Sequence, residues 1–123
     1  MLGLQFETKT SWAEIAKDNL QQILTDHAFL EQKAASNAVS IIINYSEETK
    51  LVQAMSEIAI EEMEHFKMVH DFMVKRGMVL GREQKNDYAI QLMKFFKKTG
   101  DRKEALIQRL LIAALIEARS CER

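Results

Sequence analysis

Proline is absent from this chain of 123 residues, and glycine occurs only four times. With so few backbone breakers and 47% hydrophobic residues, the composition suits one small all-α domain. Cys121 is the single cysteine, which excludes an internal disulfide. No apolar run approaches the roughly 20 residues of a membrane span. The start, Met1-Leu2-Gly3-Leu4-Gln5-Phe6, is too short and uncharged for a signal peptide, so a cytoplasmic protein in a reducing compartment is expected. A formal charge of −1 neither demands nor excludes a nucleic-acid partner.

What the chain does have is well-signed helix ends. Ser11-Trp12-Ala13-Glu14 is a capping box, and the helix it opens is expected to run over about 12–45. Ser46 is expected to cap a second helix over 47–76, with Glu47 and Glu48 in its first turn and Lys75-Arg76-Gly77 at its end. Thr99-Gly100 followed by Asp101-Arg102-Lys103-Glu104 starts a third long helix over 102–123. In the connection between Gly77 and Gly100, residues 88–98 predict a short amphipathic helix through Ile90, Met93, Phe95 and Phe96.

The long helices carry charge where a bundle wants aliphatic residues. One seam reads Leu20, Leu24, His27, Glu31, Ala34, Ala38, Ile41, Tyr45; the next reads Leu51, Met55, Ile58, Glu62, His65, Val69, Phe72; the last reads Leu106, Leu110, Ala113, Glu117, Ser120. Ionisable groups on a buried stripe carry a heavy desolvation cost unless they bind something. Carboxylate oxygen and neutral imidazole nitrogen are both good ligands for first-row metals. The competing possibility is a salt-bridge network or a hydrated polar layer. No Lys or Arg falls in the seam near these Glu residues to supply its cations.

Register brings the three signals to one level. A tight turn at Ser46 makes the first two helices antiparallel neighbours. Glu31 lies 15 residues before Ser46 and Glu62 lies 16 after it, so both stand roughly 23 Å from the turn. Glu117 is 16 residues beyond Asp101, and a connection crossing back along the bundle would bring it to the same height. His65 faces the same way as Glu62, one turn along.

Glu on one helix, Glu-x-x-His on the next and Glu on a third resembles the ferritin-like di-iron carboxylate proteins. The wording most resembles the tRNA-(2-methylthio-isopentenyl-adenosine) hydroxylases. The stretches that carry the resemblance are Leu24-Thr25-Asp26-His27-Ala28, Glu31-Gln32-Lys33-Ala34-Ala35-Ser36, Glu61-Glu62-Met63-Glu64-His65-Phe66 and Ala114-Leu115-Ile116-Glu117-Ala118-Arg119-Ser120-Cys121-Glu122-Arg123. The resemblance implies a ferritin-like helical bundle, two iron ions, dioxygen as co-substrate, an electron donor, and hydroxylation of the isopentenyl group of a hypermodified tRNA adenosine. It implies Glu31, Glu62, His65 and Glu117 as metal ligands. Glu62 would bridge, Glu31 would be terminal on the iron also held by His65, and Glu117 would be the second bridge or a terminal ligand. The family pattern also has a second Glu-x-x-His on a fourth helix, and here the sequence ends six residues after Glu117. A C-terminally incomplete bundle is therefore expected, with an open apolar face near Ile42, Leu110 and Ala114 that invites a homodimer.

Other residues rank below these. His27, with Asp26 beside it to orient the imidazole, suits a hydrogen-bonded group behind the ligands better than a ligand. Glu61, Glu64 and His70 lie off the seam and read as surface residues. Lys94, Lys97, Lys98, Arg102 and Lys103, interleaved with Phe95 and Phe96, are candidates for contacts to tRNA phosphates or a solvated helix face. The competing functions are a peroxide- or oxygen-reducing di-metal protein of rubrerythrin type and a non-catalytic iron-binding helical module.

Overall fold

The computed structural model describes residues 11–84, 87–95 and 100–122. The chain order is α1 (Trp12–Asp18), α2 (Leu20–Asn44), α3 (Thr49–Lys75), α4 (Asp87–Lys94) and α5 (Arg102–Glu122). No strand occurs among the described residues, so the all-α class expected from composition is the one observed. The chain divides into two compact bodies, one of residues 15–84 and one that carries α4 and α5.

The helix expected over 12–45 is interrupted at Asn19. Its side-chain Nδ2 donates to the Ile15 carbonyl at 3.0 Å, the acceptor its own backbone N–H would take in an α-helix. The Asn19 N–H turns to the Ala16 carbonyl at 3.3 Å. Asn competes with the backbone in this way wherever packing does not overrule it. The α-helical ladder resumes with the Ile23 N–H on the Asn19 carbonyl.

The body of residues 15–84 is an αα-hairpin. Tyr45 is buried at the end of α2, and its carbonyl accepts the Glu48 N–H at 3.0 Å, so residues 46–48 are used up in reversing the chain. Ser46 is therefore not the cap. Glu48 occupies that position without a side-chain capping bond, and the first turn of α3 holds no acidic residue. The expected start at 47 moves to Thr49, but the heights survive the shift. Glu31 is 13 residues from the end of α2 and Glu62 is 13 from the start of α3.

Gly77 closes α3 as expected. Its φ of 69° is the left-handed conformation that glycine adopts without Cβ strain. The Met78 N–H reaches the Met73 carbonyl and the Gly77 N–H reaches the Val74 carbonyl, the paired bonds of a Schellman end.

The hairpin core is small residues against long ones. Ala28, Ala35, Ala38 and Ile41 are buried on α2, and Met55 and Met73 on α3; the alanines let α3 approach and the flexible methionines fill the gaps. On both helices the buried line sits one residue away from part of the expected seam. Thr25, Ala35 and Met73 are buried where Leu24, Ala34 and Phe72 were expected. Phe72 is 39% exposed, and the Arg76 guanidinium lies 3.5 Å over its ring, a cation–π contact.

After Met78 the chain returns along α2 as a strap. The Gly81 N–H donates to Thr25 Oγ1 at 3.2 Å, the Gln84 N–H approaches Asp26 Oδ1 at 3.4 Å, and Lys33 pairs with Glu83.

In the other body, Asp101 caps α5 by accepting the Glu104 N–H at 2.8 Å. The short helix expected over 88–98 ends at Lys94, where the Phe95 N–H bonds the Leu92 carbonyl three residues back and tightens the turn. Residues 96–99 lie outside the described part. No helix among the described residues is long and apolar enough to cross a membrane.

Candidate metal centre

Halfway along the hairpin three ionisable side chains meet. Glu31 comes from α2, and Glu62 and His65, one turn apart, come from α3. One donor atom from each lies within 4.8 Å of the others. Both carboxylates are largely withdrawn from solvent, with side-chain exposures of 13% for Glu31 and 15% for Glu62, and His65 is 43% exposed.

The spacing separates two kinds of contact. His65 Nδ1 stands 3.9 Å from Glu31 Oε2 and 3.8 Å from Glu62 Oε2, too far for hydrogen bonds. Two donors that each sit on the order of 2.0–2.2 Å from a shared ion are held apart in this way. His27 Nε2, by contrast, lies 3.1 Å from Glu31 Oε1, a closer imidazole–carboxylate contact.

Glu62 Oε2 is buried and has no hydrogen-bond partner. Leaving a buried oxygen unsatisfied costs about 1–3 kcal/mol, and more when it is charged. Burial accordingly pushes the Glu62 carboxyl from its ordinary 4.5 up to about 7; hydrogen bonding and like charge from Glu31 add to the rise, and His65 opposes it. A cation would reverse that balance. Two carboxylates and an imidazole, with one orphaned oxygen aimed among them, fit a first-row metal ion.

The other residues singled out by sequence fall as follows. Asp26 Oδ1 accepts a 2.8 Å bond from Gln22 Nε2 and faces the Gln84 N–H, which makes it an anchor of the strap. Glu117 belongs to the other body and is exposed on α5. Glu61 and Glu64 are exposed, while His70 is half-buried and stacks on Phe66 with ring centroids 6.2 Å apart. Lys94, Arg102 and Lys103 are exposed; Lys97 and Lys98 lie outside the described residues. Sequence reasoning passed over Thr25, whose hydroxyl holds the strap. The available signal was a polar residue on the stripe one position after Leu24.

Known proteins share this arrangement of helices. The family model described as tRNA-(MS(2)IO(6)A)-hydroxylase (MiaE) matches residues 2–123. A curated relative, the tRNA 2-(methylsulfanyl)-N(6)-isopentenyladenosine(37) hydroxylase of Pseudomonas putida, is 37% identical over 116 residues, covering 94% of this chain and 56% of its own length. A solved structure, Protein 43 with aldehyde deformylating oxygenase activity from Synechococcus, is similar with a TM-score of 0.88 and 37% identity, over 98% of this chain and 59% of that one. The chain thus spans a little over half the length of these relatives. A match that takes in both bodies, together with the Glu and Glu-x-x-His pairing inside the hairpin, makes this ferritin-like all-α chain a member of the MiaE family of tRNA hydroxylases.

Proposed function

We propose that the protein is a di-iron, dioxygen-dependent hydroxylase acting on the isopentenyl group of a hypermodified tRNA adenosine, with Glu31, Glu62, His65 and Glu117 among the iron ligands. The observation that carries this reading is the buried, unpartnered Glu62 Oε2 facing Glu31 and His65. A bound pair of iron ions would supply the electrons that reduce dioxygen and so the oxidising power needed at an unactivated carbon. The chain's own part is to hold the pair. Glu31 and Glu62 offer anionic oxygens from sheltered positions, and His65 offers a neutral nitrogen on the more open side. Glu117 joins the set on its sequence register.

Exposed Lys94, Arg102 and Lys103, with Lys97 and Lys98, are the proposed contacts to tRNA phosphates. A cytoplasmic location follows from that substrate. An electron donor is a further partner. A homodimer is proposed from apolar side chains left at the hairpin surface, where Ile43 is 72% and Ile60 62% exposed.

The name of the solved Synechococcus relative favours one second reading, oxygen-dependent deformylation of an aldehyde at the same metal ligands. Nucleoside mass spectrometry separates the two. The full-length protein, loaded anaerobically with Fe(II) and given oxygen and a reductant, should add one oxygen to isopentenyl-type adenosine in tRNA, and its Glu62→Ala variant should not. Turnover of an aldehyde with no change in tRNA nucleosides would replace the leading reading with the second.

A further inference from the structure

We infer that His27 is a positioning residue that decides which oxygen of Glu31 reaches the metal. This rests on the metal reading of the Glu31, Glu62 and His65 cluster. The two imidazoles near Glu31 stand in different relations to it. His27 Nε2 is 3.1 Å from Oε1, a close imidazole–carboxylate contact, whereas His65 Nδ1 is 3.9 Å from Oε2, a gap. His27 and Glu31 are four residues apart on α2, so their side chains share one face and the contact is built into the helix. With Oε1 engaged by this imidazole, the carboxylate is restrained and Oε2 is left turned toward His65 and Glu62.

Glu31 is then a one-oxygen ligand. Losing His27 frees it to swing or to chelate through both oxygens, which changes the geometry at the ion without removing any ligand. A hydrogen-bond donor behind a ligating carboxylate commonly affects metal affinity by roughly 10–100-fold. Because His27 is 42% exposed, its replacement should leave the fold intact.

The test uses Co(II) as probe on the full-length protein, with affinity measured by competition, coordination read from the visible d–d spectrum and imidazole count from X-ray absorption. His27→Leu should weaken Co(II) roughly tenfold and alter the d–d bands, with the same imidazole count and an unchanged melting midpoint of the metal-free protein. His27→Gln, which restores an N–H donor, should recover most of the affinity. Unchanged affinity and spectrum in His27→Leu would overturn the inference, and so would the loss of one imidazole, which would make His27 a ligand. Wild-type protein that binds no Co(II) would overturn the metal reading and this inference together. Binding that Glu62→Gln abolishes but His27→Leu leaves untouched would overturn this inference alone.

Discussion

Two buried polar groups in the same hairpin are treated in opposite ways. Thr25 is fully buried, yet its hydroxyl donates to the Gln21 carbonyl at 2.8 Å and accepts the Gly81 N–H at 3.2 Å. Glu62, two turns nearer the middle, buries an oxygen with no hydrogen-bond partner. A fold that satisfies a threonine at one level and orphans a carboxylate at the next is not short of donors. The first group ties elements together, and the second is the group the proposed metal site would use.

The sharpest break of that comparison is Glu62→Ala. It should abolish stoichiometric iron binding, read by metal analysis, while the metal-free protein melts no lower than wild type, because an uncompensated buried carboxylate has been removed. Iron at the wild-type level in this variant would move Glu62 into the same class as Thr25.

Acidity offers the next test. In the fold the Glu62 carboxyl sits near 7 instead of 4.5, so between those values the folded state holds a proton that the unfolded chain has lost. Its contribution to stability is complete below about 4.5 and disappears as pH rises through about 7. Denaturant unfolding of metal-free protein should therefore show wild type losing stability from pH 5 to pH 8 relative to Glu62→Gln. Metal affinity should run the other way and strengthen across the same window, since ligation needs the ionised form. Parallel pH profiles for the two proteins would remove the evidence for a desolvated carboxylate.

Smaller effects sharpen the other side. Thr25→Val keeps the shape and removes both bonds; because the exposed Gly81 N–H can turn to water, a loss of about 0.5–1.5 kcal/mol is expected, measured by denaturant midpoint, with iron stoichiometry unchanged. Gly77→Ala should cost about 1 kcal/mol, because a Cβ is strained at positive φ although nothing lies within 4 Å of it. Gly81→Ala should change least. Its Cβ would meet Thr25 at 3.5–3.6 Å, ordinary contact, and a large loss there would mean that the strap is packed more tightly than its hydrogen bonds indicate.

The sequence carried much of this because the informative contacts are local or symmetric about one turn. Glu31 and Glu62 were placed at one height by counting from Ser46, and they remain level although the helix begins at Thr49, since α2 lost a residue at one side as α3 lost residues at the other. Gly77 could be read directly because only glycine settles easily at positive φ. The break at Asn19 was harder to see, being decided by one side-chain bond to Ile15 against an otherwise unbroken apolar pattern. The strap was illegible. Gly81 to Thr25 and Gln84 to Asp26 join residues 56 and 58 apart, and no periodicity encodes such pairings. For the same reason Asp26 read from sequence as a partner for its neighbour His27, whereas the structure gives its Oδ1 to Gln22 and the strap.

The turn at Tyr45–Glu48 also has a kinetic meaning. Every residue of the described cluster belongs to a single helical hairpin, so bringing Glu31 to Glu62 and His65 requires only that two consecutive helices zip together from a closed end. Such low-contact-order steps are the fast ones in folding, on the microsecond to millisecond scale for helical bundles. The cluster can therefore take shape while the ribosome is still adding α4 and α5, and an ion captured at that stage would bind the hairpin before the rest of the chain has folded.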